Sequence, residues 1–235
     1  MRPIPARRTD RSAYEARALA RGVLPQMTVL AGGLAGARLH WFTSPGDRAH
    51  IGQLMVAAAR AITRDDQQSR DGFRLFRSSW DDIQKHKDGL TLDAQGLSAL
   101  TTAVAKLLPA SDRRSGDEFW VDRTRTTHTR TAAAYGVVAV PDASDDADRL
   151  MGGRLLERVH LWTAGNGIAL HHMNQMTERA DRERQLRLPP RFGREVQALI
   201  PDGGGQPLVA FRVGYAKGDD GRRKSPRRPT EEVVA

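Results

Sequence analysis

No cysteine occurs anywhere in this sequence, which excludes a disulfide framework, a thiol nucleophile and a thiolate metal site. Aromatic residues are sparse, at 6%, and no apolar run approaches the ~18–20 residues that a membrane span needs. The basic start lacks a following apolar segment, so a secretory leader pattern is missing and a cytoplasmic location is expected. Neither the HExxH nor the Cys/His spacings of zinc sites appear, and there is no G-x-S-x-G turn of the common serine hydrolases. Lysine is scarce too: five of the 37 basic residues are lysine and the rest are arginine.

What is present is a chain of 235 residues, long enough to bury a real core. A net charge of +9 and a pI near 10.7 invite a nucleic-acid reading. However, a GC-rich coding sequence yields an Ala-, Arg- and Gly-rich chain without selection for binding. The arginines also alternate with acids, as in DRERQLRLPPRFGRE (181–195). Most of this charge reads as solvated surface, and a nucleic-acid partner is not expected.

Hydrophobic periodicity divides the chain into a helix-rich part (12–110), a polar loop (111–131), a strand-helix-strand core (132–216) and a basic tail (217–235), all within one domain (1–235). Ser12-Ala-Tyr-Glu15 has capping-box spacing and predicts a helix from Ala13. A second helix is predicted from Pro25 to about Ala35 and a strand over 37–43. Ser44-Pro45 then opens a long helix with Ile51, Leu54, Met55, Ala58, Ala59 and Ile62 on one face. The stretch SDRRSGDEFWVDRTRTTHTRT (111–131) reads as a mobile loop. AAAYGVVAV (132–140) is a buried-type strand, and a helix follows to about Gly165. Strands at 167–175 and 206–216 flank two further helices. The class is α/β or α+β.

Few motifs carry chemistry. Gly32-Gly33-Leu34-Ala35-Gly36 has no preceding strand and no acid placed for a ribose, so it is not a dinucleotide fingerprint. His171 and His172 fall on a predicted strand, where neighbours point to opposite faces and do not share one metal. Arg7, Arg8 and Arg11 stand at one end of the chain, with Lys224, Arg227 and Arg228 at the other. On composition alone these are two charged termini. The pattern R-R-T-x-R sets a second reading beside that one, because Arg7 and Arg11 can converge on one ligand with the Thr9 hydroxyl between them. Guanidinium groups grip phosphate bidentately, and a dianion needs more than one cation. SPRRP (225–229) offers the same chemistry from the tail.

With these residues the chain resembles the nitroreductase superfamily of FMN proteins, and most of all its Acg-type branch. Arg7, Thr9 and Arg11 match the family's opening R-x-S-x-R/K, with Thr in place of Ser. TAAAYGVVAV, RLLERVHLWTAGNGIAL and HHMNQ match its later strand, helix and strand; MNQ…ERADRERQLRLPPRF, VAFRVGYA and SPRRP continue the Acg-type pattern. The resemblance implies an α+β fold, a nitroreductase-like mixed β-sheet flanked by helices, with FMN held noncovalently. By the same resemblance Arg7, Thr9 and Arg11 contact FMN, Arg227 and Arg228 reach its phosphate, and His172, Met173 and Asn174 face the ring. It implies hydride transfer from NADH or NADPH through the flavin to a small nitro- or quinone-type acceptor, with Arg11 stabilising the reduced ring's negative charge. No side-chain acid or base is required for that step.

Two departures matter. Asn174-Gln175 stands where better-known nitroreductases carry Glu-Gly, and the chain matches only the C-terminal half of longer Acg-type proteins. The family's flavin sits where two copies of the fold meet, so a homodimer with FMN at the interface is expected. A non-catalytic, FMN-sequestering protein of the Acg type is the alternative. A basic nucleic-acid-binding protein is the third reading; it would carry no flavin and lose affinity steeply with salt.

Overall fold

The computed structural model describes residues 3–77, 79–107, 112–217, 228–232 and 234. The elements run α1 (Pro3–Ala6), α2 (Val23–Thr28), β1 (Arg38–Phe42), α3 (Pro45–Arg64), α4 (Asp66–Arg74), β2 (Phe76–Arg77), α5 (Trp80–His86), β3 (Leu90–Thr91), α6 (Ala99–Leu107), α7 (Arg113–Arg123), β4 (Ala134–Val140), α8 (Asp146–Gly165), β5 (Ala169–His172), α9 (Gln175–Gln185), α10 (Arg191–Gln197) and β6 (Gln206–Gly214). Among the described residues, no helix is long and apolar enough to cross a membrane.

Four strands form an antiparallel sheet in the order β1-β4-β6-β5. A small parallel pair, β2 with β3, lies outside it. Strand β4 is buried along its whole length, which explains its continuous apolar run. Successive side chains on a strand alternate between faces, and two cores result. Ala134, Val138, Phe211, Val213 and Leu170 pack with Leu155 and Val159 of α8. Tyr135, Val137, Ala139, Ala210 and Met173 pack with Ile51, Leu54, Met55 and Ala58 of α3, Met176 of α9 and Phe192 of α10. Each fully buried Val, Leu, Ile, Phe or Met among them contributes roughly 1.5–3 kcal/mol. Gly136 is needed on the first of these faces: a Cβ there would lie 2.4 Å from the ring of Phe211.

The long helices form where their caps are. Ser44 accepts from the Asp47 N–H at 3.0 Å and Pro45 takes the first turn of α3. Asp145 caps α8 in the same way, with Asp146 and Asp148 in its first turn. Asp65 closes α3 and caps α4, and its carboxylate also takes Arg179 and Arg182 of α9, each at 2.9 Å. Those contacts hold the Asp65 carboxyl well below the usual carboxylate range.

Two expectations are corrected. Ser12-Glu15 does not cap a helix. The Ser12 hydroxyl donates to Asp10 Oδ1 at 2.6 Å, and Tyr14 is bridged to Ala216 as an extended segment alongside the end of β6. Tyr14 is 2% exposed, with its ring against Gly214; that tertiary burial outweighs a cap worth about 1 kcal/mol. The stretch 111–131 is not a loop. Asp112 accepts from the Ser115 N–H at 2.8 Å and starts α7, which runs on into a π turn at Thr124–His128. Helix α7 packs on α3 and α4 yet buries none of its residues fully, so it lacks the apolar stripe that marks a helix in sequence. The second helix is also shorter than expected, ending as α2 and a 3-10 turn over Val29–Ala31.

Candidate functional site

The N-terminal segment crosses the free edge of β5. Asp10 donates its N–H to the Leu170 carbonyl at 2.8 Å, which carries Arg7, Arg8, Thr9 and Arg11 past that edge. His171 and His172 then point to opposite sides of the sheet, as the strand requires. His172 meets His160 of α8 on one side, and His171 meets His128 and Arg212 on the other.

On the α8 side, Arg7 Nη1 lies 3.4 Å from His160 Nδ1 while its Nε pairs with Glu157 at 3.2 Å. His160 Nε2 is 3.0 Å from the Arg8 carbonyl, and His172 Nε2 is 3.2 Å from His160 Nδ1. Burial, followed by the fields of His160, Arg11 and Arg7, lowers the pKa of His172 to about 4.

On the α3 side, Arg212 of β6 is 0% exposed. Its guanidinium donates to Ser12 O (2.6 Å), His128 O (3.1 Å), Thr131 Oγ1 (3.0 Å) and His171 Nδ1 (3.2 Å). The Tyr14 ring lies 3.9 Å from its Cζ. All these partners are neutral. The nearby buried carboxylate, Asp10, spends its Oδ1 on the N–H and hydroxyl of Ser12, and its Oδ2 is 3.8 Å from Arg8. Arg11 reaches the Ala94 carbonyl at 3.3 Å and Arg123 the Gly96 carbonyl at 3.4 Å, so the turn at 94–96 sets two more guanidiniums beside Arg212. Burial, the leading cause in each case, lowers the pKa of Arg11, Arg123 and Arg212. The cluster therefore holds more positive than negative charge.

Several buried polar atoms here lack a well-formed hydrogen bond among the described residues: Thr124 Oγ1, Arg123 Nε, Tyr135 Oη and both ring nitrogens of His128, which has only a poorly aligned approach to the Arg11 backbone. His128 is 4% exposed and sits edge-on to His171 at 4.6 Å. The Arg11 backbone favours its charged form, but burial and the fields of Arg212, Arg123 and Arg11 outweigh that and push its pKa down to about 2. Each unmet polar group costs about 1–3 kcal/mol. An anion bearing acceptor oxygens would satisfy the donors and balance the charge together. Two open surface clefts, one lined by Arg194 and Ile200 and one by Asp71 and Glu178, include none of these residues.

Histidines held neutral in the fold take up protons near pH 6.5 once unfolded. The unfolded state then binds more protons, so stability rises with pH. It should begin to fall on acidification below about pH 6.5, before most carboxylates titrate. The share from His172 is lost down to about pH 4 and that from His128 down to about 2. A melting temperature unchanged between neutral pH and pH ~5 would contradict this.

Of the residues singled out in sequence, Arg7 and His172 share His160 as a partner, and Arg11 lies near both histidine pairs. Thr9, between Arg7 and Arg11 in sequence, is half-buried. The Met173 side chain is 1% exposed within the α3-side core, and its N–H donates to the Ala210 carbonyl at 2.8 Å. Asn174 Oδ1 accepts the Ala210 N–H at 3.1 Å. Arg228 is held by a different set of groups, Asp88 at 3.1 Å and the His86 carbonyl at 3.3 Å. Arg227 and Lys224 lie outside the described residues. Sequence reasoning missed Arg212, His160, His128, Thr124 and Arg123. Arg212 left a signal, a lone charge inside the apolar run VAFRV; the residues of the polar stretch 111–131 left none.

Neither the protein-family models nor the curated proteins compared with this chain give a match. Solved structures do. An FMN and NADPH-dependent nitroreductase NfnB from Sphigopyxis sp. strain HMH is similar with a TM-score of 0.59 at 16% identity, over 99% of this chain and 96% of that one. The FMN-dependent nitroreductase NfnB from Mycobacterium smegmatis, in complex with NADPH, gives 0.55 at 15% identity over 100% and 96%. A nitroreductase with bound FMN from Bacteroides fragilis NCTC 9343 gives 0.56 at 12% identity over 99% and 95%. At such identities the likeness is one of shape. The chain has the nitroreductase-like α+β fold, an antiparallel sheet flanked by helices along essentially its whole length.

Proposed function

We propose that this chain binds FMN and acts as an NAD(P)H-dependent oxidoreductase, passing two electrons to small nitro- or quinone-type acceptors. The observation that carries the reading is the excess of guanidinium charge, with unmet polar atoms, where the N-terminal segment crosses the edge of β5. FMN fits it chemically. Its phosphate is a dianion, and its ring edge carries carbonyl acceptors that become more negative on reduction. Proteins of similar shape are FMN- and NADPH-dependent, or hold these molecules.

Bound FMN would supply the two-electron chemistry. The chain's own residues would bind and orient. Arg11 and Arg123 set positive charge against the ring edge, where it favours the reduced form. Thr124 and His128 add a hydroxyl and an imidazole N–H as donors. Arg7, with a side chain 34% exposed, and Thr9 reach outward to the ribityl phosphate. Asn174 has its carbonyl committed to Ala210 and keeps its amide hydrogens for the ligand. Arg228 and Arg227 are assigned to the phosphate of the partner copy in a homodimer. Exposed apolar side chains such as Trp80 of α5, Val104 of α6 and Phe119 of α7 are available for a second copy to cover. Sedimentation of a monomer that retains flavin would count against the dimer.

The freshly purified protein should be yellow and release FMN on denaturation. Anaerobic mixing with NADPH, or NADH, should bleach the flavin band within seconds. A colourless protein that takes up no added FMN would refute the cofactor. A yellow one that stays yellow would replace the enzyme with the sequestering alternative.

A further inference from the structure

The hydrogen bonds around His160 determine its protons. The Arg8 carbonyl can only accept, so His160 Nε2 carries the hydrogen of that 3.0 Å contact. Arg7 Nη1 can only donate, so His160 Nδ1 is the bare nitrogen of the 3.4 Å contact. The same Nδ1 lies 3.2 Å from His172 Nε2, which must then carry a hydrogen. A neutral imidazole has one N–H, so His172 Nδ1 is left as a lone pair. Burial, followed by the fields of His160, Arg11 and Arg7, opposes a second proton on His172 and keeps it neutral at physiological pH. Glu157, the charged group that α8 brings to this cluster, pairs with Arg7 Nε at 3.2 Å.

We infer that His160 is a positioning residue: it locks His172 in the Nε2–H tautomer and so makes Nδ1 of His172 a bare acceptor for the ligand. The site then selects a ligand group that brings an N–H or O–H donor. The ring imide and ribityl hydroxyls of FMN are such groups, and a ligand offering only acceptors would be rejected there. The tautomer stands without the proposed function; the link to FMN rests on that reading.

Nitrogen-15 NMR of the full-length, histidine-labelled protein reads the tautomer directly. His172, assigned by its loss in His172→Gln, should show a pyrrole-type Nε2 and a pyridine-type Nδ1. In His160→Leu the two signals should move toward the averaged tautomer mixture of a free imidazole. In His160→Gln they should stay, because the glutamine carbonyl can accept from His172 while its amide donates to the Arg8 carbonyl. A wild-type His172 carrying its proton on Nδ1, or unchanged signals in His160→Leu, would overturn the inference; the wild-type spectrum decides even if that variant fails to fold. FMN titration adds a second readout, about tenfold weaker binding in His160→Leu with recovery in His160→Gln. Equal FMN affinity in wild type and both variants would remove the selection role. A protein that takes up no FMN would refute the proposed function and leave the tautomer to the spectra.

Discussion

Arg212→Met should destabilise the protein by about 3–5 kcal/mol, lowering its melting temperature by roughly 10 °C. Two effects compete. Removing the side chain strands the carbonyls of Ser12 and His128, Thr131 Oγ1 and His171 Nδ1, all of which Arg212 serves. Each stranded buried acceptor costs about 1–3 kcal/mol. Against that, the fully buried guanidinium has neutral hydrogen-bond partners, so its deletion also relieves the cost of burying a charge. Four acceptors outnumber one charge, and the loss should win. It should also be structural in a specific way, because Arg212 ties the N-terminal segment (Ser12) and the π turn (His128) to β6 at once. Arg212→Lys should fall between, since one ammonium cannot reproduce a planar fork on four acceptors. Urea denaturation of the three proteins decides: a methionine variant as stable as wild type would mean that charge burial dominates and that the cluster is strained without its ligand.

Arg7→Ala/Arg11→Ala together should cost two charge-assisted contacts to the cofactor, about 1.5–3 kcal/mol each, or ~10²–10⁴-fold in FMN affinity. The fold should survive, because neither guanidinium is a hub of the core. Arg7 is half-exposed, pairing with Glu157 and reaching the buried His160 at 3.4 Å, and Arg11 makes one long contact to the Ala94 carbonyl. The double lysine variant should recover part of the binding, retaining charge but not the fork. Flavin content unchanged in the alanine variant, with normal melting, would move the cofactor away from the N-terminal segment even though the fold is right.

Much of the architecture was legible beforehand. Ser44-Pro45, the stripe from Ile51 to Ile62 and the apolar runs of β4 and β6 are local signals that packing reinforces. The failures share a cause. Ser12-Glu15 satisfied a local rule worth about 1 kcal/mol, yet Tyr14 gained more by lying against Arg212 and Gly214. The region 111–131 shows no apolar stripe because α7 buries none of its residues fully, Phe119, Trp120 and Val121 included, and its π turn serves a polar cluster. Of the candidate site, Arg7, Thr9 and Arg11 were visible as a pattern, whereas their histidine partners were not: His128 and His160 are far from them in sequence and carry no spacing that links them.

Composition and periodicity by themselves excluded thiol chemistry and a membrane-spanning helix among the described residues, and they marked the strands, the long helices and the paired arginines as elements. Those are properties of neighbouring residues, so they can be read along the chain. Which charges meet was decided only in three dimensions. The edge of β5, the turn at 94–96 and the π turn bring residues from opposite parts of the chain around one guanidinium, and burial there sets their protons. Desolvation and hydrogen-bond partnership depend on what surrounds a side chain in space, and no window of sequence contains that.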